Sequence, residues 1–229
     1  MDPIPDLKDP ERYVISSFTH SPFVEIRTGD RFIVEMQYPL LGMQNVTQKC
    51  YVRKEVYDML MDAAGKLPEG YRFKILDAWR PFALQKELYE KYSVSIIREF
   101  EMEDMPEEQQ KMLIRKFVSD PVPDKDVPPV HTTGGAVDLT IVDELGKELL
   151  MGTVFDAFTN KTMTSFYEGE KDMEIRKNRR MLYNAMISSG FTNLPSEWWH
   201  YDFGDRFWAY YTGKAAIYEG IFEEGDIYV

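Results

Sequence analysis

Residues 130–140 read V-H-T-T-G-G-A-V-D-L-T and run on into Ile141 and Val142. A glycine pair opening onto an apolar, β-branched run predicts a strand over Gly135–Val142. On that strand Ala136, Asp138 and Thr140 share one face, because side chains alternate with a period of two. His131 lies seven residues before Asp138, and the intervening glycines allow the positive φ or close backbone approach that a metal loop needs. A second stretch, Ser196–Gly204, reads S-E-W-W-H-Y-D-F-G and supplies Glu197 and His200. Together His131, Asp138 and His200 make a three-ligand set for a divalent metal, with one coordination position left open as in catalytic zinc sites. The mixed nitrogen and oxygen donors suit zinc without excluding other divalent ions. The chain has only three histidines, and this set uses two of them.

The 229 residues are enough for one ordinary domain, and an apolar content of 44% with 29% charged residues is that of a globular protein. Fourteen tyrosines and fourteen phenylalanines argue against disorder. The net charge of −12, with no lysine- or arginine-rich run, disfavours nucleic acid and anionic membranes as partners. A small zwitterionic substrate remains compatible, and so does a homo-oligomer. The single cysteine, Cys50, has no nearby base in Q-K-C-Y-V and reads as an inert strand- or helix-edge residue. The first residues, M-D-P-I-P-D-L-K-D-P-E-R, have neither a basic nor an apolar region of a secretory signal, and no run approaches a membrane span. The expected location is therefore the cytoplasm.

Four prolines make residues 1–30 irregular, and His20 there reads as a surface or packed loop residue. Arg31–Tyr38 has strand composition. Val52, Val56, Met59, Leu60 and Ala63 recur at helical spacing, ending near Gly65. Tyr71–Leu76 reads as a buried strand leading into D-A-W-R-P, with Pro81 suited to the first turn of the next helix. Residues 98–129 read as a surface insertion, partly helical and then proline-rich. Lys147–Met151 is placed to pair with the strand at Gly135–Val142. Lys171–Ser189 is the clearest helix, with Gly190 suited to its end. Glu197–Phe203 and Phe207–Tyr211 read as strands. The simplest account is a single α+β domain over 1–229: an antiparallel β-sheet flanked by helices, with the metal site on the sheet.

H-x-x-G-x-A-x-D followed about seventy residues later by E-x-x-H resembles the zinc D-alanyl-D-alanine dipeptidases, the VanX-type branch of the M15 peptidases. Leu76-Asp77-Ala78-Trp79-Arg80-Pro81, Met151-Gly152-x-x-Phe155-Asp156 and the Trp-Trp pair agree in order, so the resemblance spans roughly 38–202. It implies one zinc ion per chain on His131, Asp138 and His200. It also implies Glu197 as general base, Arg80 facing the scissile carbonyl, and Asp156 pairing with the substrate's free ammonium. From the residues alone, Glu197 could be a surface carboxylate, Arg80 an ion-pair partner of Asp77, and Asp156 a turn residue. Glu197 and His200 are three positions apart, so the backbone must bend for both to reach one metal. Tyr38 and Asn45 match family positions at a shifted spacing, and no role is carried over. Pro129 stands where the family has serine, which puts substrate preference in question.

The implied activity is hydrolysis of D-Ala-D-Ala in peptidoglycan precursor turnover. The alternatives are a D,D-carboxypeptidase or L-Ala-D-Glu endopeptidase of the same family, and a zinc-binding module without catalysis. A structural metal site would need neither Glu197 nor Arg80.

Overall fold

The computed structural model describes residues 1–10, 15–115, 117–124 and 127–228. Parts of two expected features, 11–14 in the irregular N-terminal segment and 116, 125 and 126 in the 98–129 insertion, lie outside the described residues. In chain order the elements are β1 (Phe23–Ile26), β2 (Phe32–Val34), α1 (Gln37–Leu40), β3 (Cys50–Arg53), α2 (Lys54–Gly65), β4 (Arg72–Asp77), α3 (Phe82–Glu99), α4 (Glu107–Ile114), β5 (Ala136–Val142), α5 (Met173–Ile187), β6 (Thr192–Asn193), β7 (His200–Asp202) and α6 (Arg206–Thr212). None of the described helices is long and apolar enough to cross a membrane.

The main sheet has five strands in the order β2-β4-β5-β7-β6, and β1 pairs with β3 in a separate two-stranded sheet. The α+β class is as expected. The main sheet is mixed rather than wholly antiparallel, because β2 runs parallel to β4. The central strand β5 is buried at every position. One of its faces, Val137, Leu139 and Ile141, joins Phe73 and Ile75 of β4 and meets Val56, Leu60 and Ala63 of α2 and Leu182, Ala185 and Met186 of α5. Fully burying side chains of this kind stabilises the fold by about 1.5–3 kcal/mol each. Helices on that face leave the opposite face, Ala136, Asp138 and Thr140, to build the site.

Several local expectations change on folding. Phe207–Tyr211 lies in helix α6, not a strand. Its aromatic composition favours β structure, but Asp205 caps the helix by accepting from the Phe207 and Trp208 N–H groups at 2.9 and 3.1 Å. Gly213, at φ +68°, ends it in the left-handed conformation. Lys147–Met151 does pair with the end of β5, through the Val142–Glu148 bridge and the Leu149 N–H donating to the Ile141 carbonyl at 2.9 Å, without becoming a strand of its own. The helix at Lys171–Ser189 is α5, started by Asp172 accepting from the Ile175 N–H at 3.1 Å.

Candidate active site

Sheet register assembles one end of the site. Asp138 on β5 lies opposite His200 on β7. Directly opposed residues share a face with Cβ atoms about 4.5–5.5 Å apart. On the other side Asp138 is paired with Asp77 of β4, through an irregularity between Ile75 and Asp77. Ile75 pairs with Leu139 on the core face, so an unbroken ladder would set Asp77 opposite Val137 and aim it into the core. The bulge re-aims it onto the face of Asp138, a common use of bulges beside active sites.

His131 arrives from a 3₁₀ turn, Val130–Thr133, that leads into β5. The two glycines after it do different work. Gly134 takes φ +72°, while a Cβ on Gly135 would lie 2.4 Å from the Phe203 carbonyl oxygen. His131 Nδ1 is held by the Ala78 carbonyl at 2.8 Å, leaving Nε2 to face the other candidate ligands. His200 is held the opposite way round: its Nε2 donates to Asp202 Oδ1 at 2.7 Å, and its Nδ1 faces inward.

The inward atoms of the three residues form a donor triangle with both Asp138 oxygens at one corner: His131 Nε2 to His200 Nδ1 is 3.2 Å, His200 Nδ1 to Asp138 Oδ1 is 3.0 Å, and His131 Nε2 to Asp138 Oδ2 is 3.4 Å. Donors bound tetrahedrally at 2.0–2.1 Å would stand about 3.3 Å apart, so the spacing fits a zinc-sized ion. All three residues are buried, and they form the candidate metal cluster found among the described residues. Burial works to raise the Asp138 carboxyl, but His131 and His200 outweigh it and hold it well below the usual carboxylate range. Burial likewise opposes a charged His200, but Asp202 and Asp138 overcome it and hold the imidazole well above its usual value. The centre is thus built to favour positive charge.

Glu197 sits in the turn before β7, not on the strand. Its N–H donates to the Leu194 carbonyl at 3.0 Å, and its carbonyl accepts from the His200 N–H at 3.3 Å. This is the bend that the three-residue spacing required, and it brings Glu197 Oε2 to 3.9 Å from His200 Nδ1. Burial first, and then the charges of Asp138, Asp156 and Asp9, push the Glu197 carboxyl up to about 8, against the pull of His200.

Arg80 and Asp77 do form the ion pair that the sequence left open, at 2.7 Å, with both side chains buried. The guanidinium is fixed on three sides: Nε and Nη2 donate to Asp77, Nη1 donates to Gln85 Oε1 at 2.6 Å, and Nη2 donates to the Tyr38 hydroxyl at 3.1 Å. That hydroxyl donates onward to Asp156 Oδ2 at 3.0 Å, and Tyr92 donates to the same oxygen at 2.8 Å. Asp156 stands in a loop at φ +56°, a conformation uncommon for a residue with a side chain. Burial, then the charge of Asp138, pushes its carboxyl up to about 6, while Tyr92, Arg80 and Tyr38 pull it down.

All six expected residues, His131, Asp138, His200, Glu197, Arg80 and Asp156, line one small cavity of about 50 Å³, and Pro129 is on its wall. Tyr92, Gln85 and Asp202 carry no local sequence signal that ties them to the site, since each meets its partner only through the fold. Tyr38 was noticed but given no role. Trp198 and Trp199 are buried, and Trp199 packs edge-on against Phe155. His20 is exposed, with its ring against Tyr228.

A buried His-Asp-His cluster beside a glutamate is an arrangement that metal-dependent hydrolases use. Residues 38–216 match the family model of Peptidase_M15, described as D-ala-D-ala dipeptidase, and the chain belongs to that family. A D-alanyl-D-alanine dipeptidase of a Synechocystis species is 29% identical over 155 residues, covering 62% of this chain and 63% of that protein. Proteins of the same name are 36% identical over 72 residues in Escherichia coli, covering 31% of this chain and 36% of that one, and 37% identical over 77 residues in Enterococcus faecalis, covering 33% and 37%. The matched region is thus less than two thirds of each relative's length. Among solved structures, a vancomycin-resistance D,D-pentapeptidase in complex with Zn(II) aligns at TM-score 0.41 and 15% identity, over 76% of this chain and 85% of its own. That likeness is too remote to bear on the chemistry.

Proposed function

We propose that this chain, as one peptidase domain over 1–229, is a zinc-dependent dipeptidase that hydrolyses D-alanyl-D-alanine in peptidoglycan precursor turnover, and that it works in the cytoplasm. The observation that carries the reading is the convergence, in one cavity, of the donor triangle, Glu197, Arg80 and Asp156. His131 Nε2, one or both Asp138 oxygens and His200 Nδ1 would hold the ion. When bound, zinc supplies Lewis acidity and makes water a nucleophile near neutral pH.

The remaining roles belong to the chain's own side chains. Glu197 accepts a proton from the attacking water and delivers it to the amine nitrogen that leaves. Its place 3.9 Å from His200 Nδ1 puts its carboxylate within reach of a water held at the centre. Arg80, immobilised by Asp77, Gln85 and Tyr38, presents a fixed positive charge to the oxyanion that develops on the scissile carbonyl. Asp156, fixed by two tyrosine hydroxyls, pairs with the substrate's free ammonium. A buried carboxylate is costly without a counter-charge, and an acylated nitrogen supplies none.

The presence of both Glu197 and Arg80 weighs against a non-catalytic module. One observation favours the D,D-carboxypeptidase or endopeptidase alternative, namely a second, larger cavity that adjoins the first. Assays of zinc-loaded protein against D-Ala-D-Ala, L-Ala-L-Ala and N-acetyl-D-Ala-D-Ala separate the readings. The proposal expects cleavage of the free D,D-dipeptide and at least about tenfold less efficient cleavage of the acetylated one. Equal or better cleavage of the blocked peptide would transfer the assignment to the alternatives.

A further inference from the structure

The cavity that contains the donor triangle measures about 50 Å³, room for little more than an ion and its waters. Beside it lies a cavity of about 500 Å³ that shares Asp156, Glu197 and Phe117 as wall. That volume falls within the ~300–1,000 Å³ typical of ligand pockets. Its other walls include Phe158, Met163 and Trp199, with the N-terminal residues Asp6 and Asp9 closing one side. The N-terminal segment is tied down there: the Ser196 N–H donates to Asp9 Oδ1 at 2.9 Å, the Ser165 hydroxyl to Asp6 Oδ1 at 3.3 Å, and the Tyr211 hydroxyl to the Lys8 carbonyl at 2.6 Å.

We propose that this adjoining cavity is the subsite for the side chain of the substrate's first residue, and that the chain prefers free dipeptides whose first residue is large and, among charged ones, basic rather than acidic. The inference rests on the dipeptidase reading and specifies its substrate. Covalent connectivity carries it. The first residue's Cα is bonded both to the ammonium, held at Asp156, and to the scissile carbonyl carbon, attacked beside Glu197. It therefore lies between Asp156 and Glu197, two of the three residues, with Phe117, that line both cavities. A side chain leaving that Cα faces the larger space. Alanine's methyl would leave nearly all of it to water, whereas an aromatic or long aliphatic side chain would meet Phe117, Phe158 and Met163. Asp6 and Asp9 oppose a carboxylate tip and attract an ammonium or guanidinium, with Lys8 as the one basic residue on the wall.

The test compares kcat/KM of zinc-loaded full-length protein for D-Ala-D-Ala, D-Phe-D-Ala, D-Lys-D-Ala, D-Glu-D-Ala and N-acetyl-D-Ala-D-Ala. The expected result is that D-Phe-D-Ala and D-Lys-D-Ala equal or exceed D-Ala-D-Ala, with D-Glu-D-Ala about tenfold or more below D-Lys-D-Ala. Met163→Trp, which fills the cavity from a partly exposed position, should lower the ratio of D-Phe-D-Ala to D-Ala-D-Ala about tenfold. Asp6→Asn should narrow the gap between the lysyl and glutamyl substrates. If D-Ala-D-Ala is cleaved well and the large first residues are about tenfold worse, this inference is overturned and the dipeptidase reading stands. Best cleavage of the N-acetylated peptide would mean that the cavity takes peptide chain, which overturns both. Failure of the zinc-loaded protein to cleave any of the free dipeptides also ends both.

Discussion

The two ends of the site are built on different principles. The proposed metal end hangs on the register of β4, β5 and β7, where Asp77, Asp138 and His200 stand in one row across three neighbouring strands. The proposed substrate end hangs on connections: Asp156 in the loop after Met151, Tyr38 in the short helix α1, Tyr92 on α3, and Asp6 and Asp9 in the N-terminal segment. Strands fix positions closely because a one-residue slip would turn every side chain to the other face. Loops can change length and sequence without disturbing the sheet. On the proposed roles, the groups that do the chemistry are set by strand register, and the groups that choose the substrate are set by loops and helices.

The largest effects should therefore come from the sheet end. His131→Ala should remove the bound metal and with it all measurable hydrolysis, as metal analysis of the purified variant would show. Full metal retention would mean that the donor triangle is misassigned. Next in size, Glu197→Ala should keep the metal and lose roughly 10²–10⁴-fold in turnover. Near-normal turnover would place the base elsewhere. These two variants sharpen the division within the metal end, because one destroys the centre and the other leaves it intact but idle.

At the loop end the effects should be smaller and selective. Asp156→Asn should lower kcat/KM for the free dipeptide by roughly ten- to a hundredfold, with little change for the N-acetylated one. A uniform loss on both would make Asp156 a structural residue. The smallest effect is on stability and runs the other way. The Asp156 carboxyl sits at about 6 in the folded chain, above its ordinary 3.8, so the folded state holds its proton more tightly than the unfolded one. The resulting destabilisation is fully present above pH 6, shrinks as pH falls from 6 toward 4, and vanishes below that. Asp156→Asn should then stabilise the apo protein by about 1–3 kcal/mol at pH 7.5 and by little at pH 4, read as denaturant midpoints. A variant less stable than the parent at pH 7.5 would show that the tyrosine hydrogen bonds outweigh the burial cost.

Legibility in the sequence follows the same division. The triangle was legible mainly through the family resemblance, because His131 and Asp138 lie close in the chain but His200 is joined to them only by the fold. The core faces of β5, α2 and α5 could be read because periodicity reports burial directly. Tyr92 could not be connected to Asp156, since 64 residues separate them and a tyrosine on a helix face looks like packing. The side to which Asp77 turns depends on a bulge that leaves no local mark. Helix α6 was misread because five residues rich in aromatics resemble a strand until Asp205 and Gly213 are recognised as its caps. The irregular character of residues 1–30 was evident, but its place along the wall beside the site is a tertiary fact.

Strand register and the opposite tethering of the two imidazoles would together build one metal centre. Anomalous scattering at the zinc edge from crystals of the zinc-loaded protein tests it most directly. The account predicts a single strong peak about 2.0–2.2 Å from His131 Nε2, an Asp138 carboxylate oxygen and His200 Nδ1, with His200 Nε2 still bound to Asp202. A peak on His200 Nε2, a peak away from Asp138, or no peak between these three residues would contradict it.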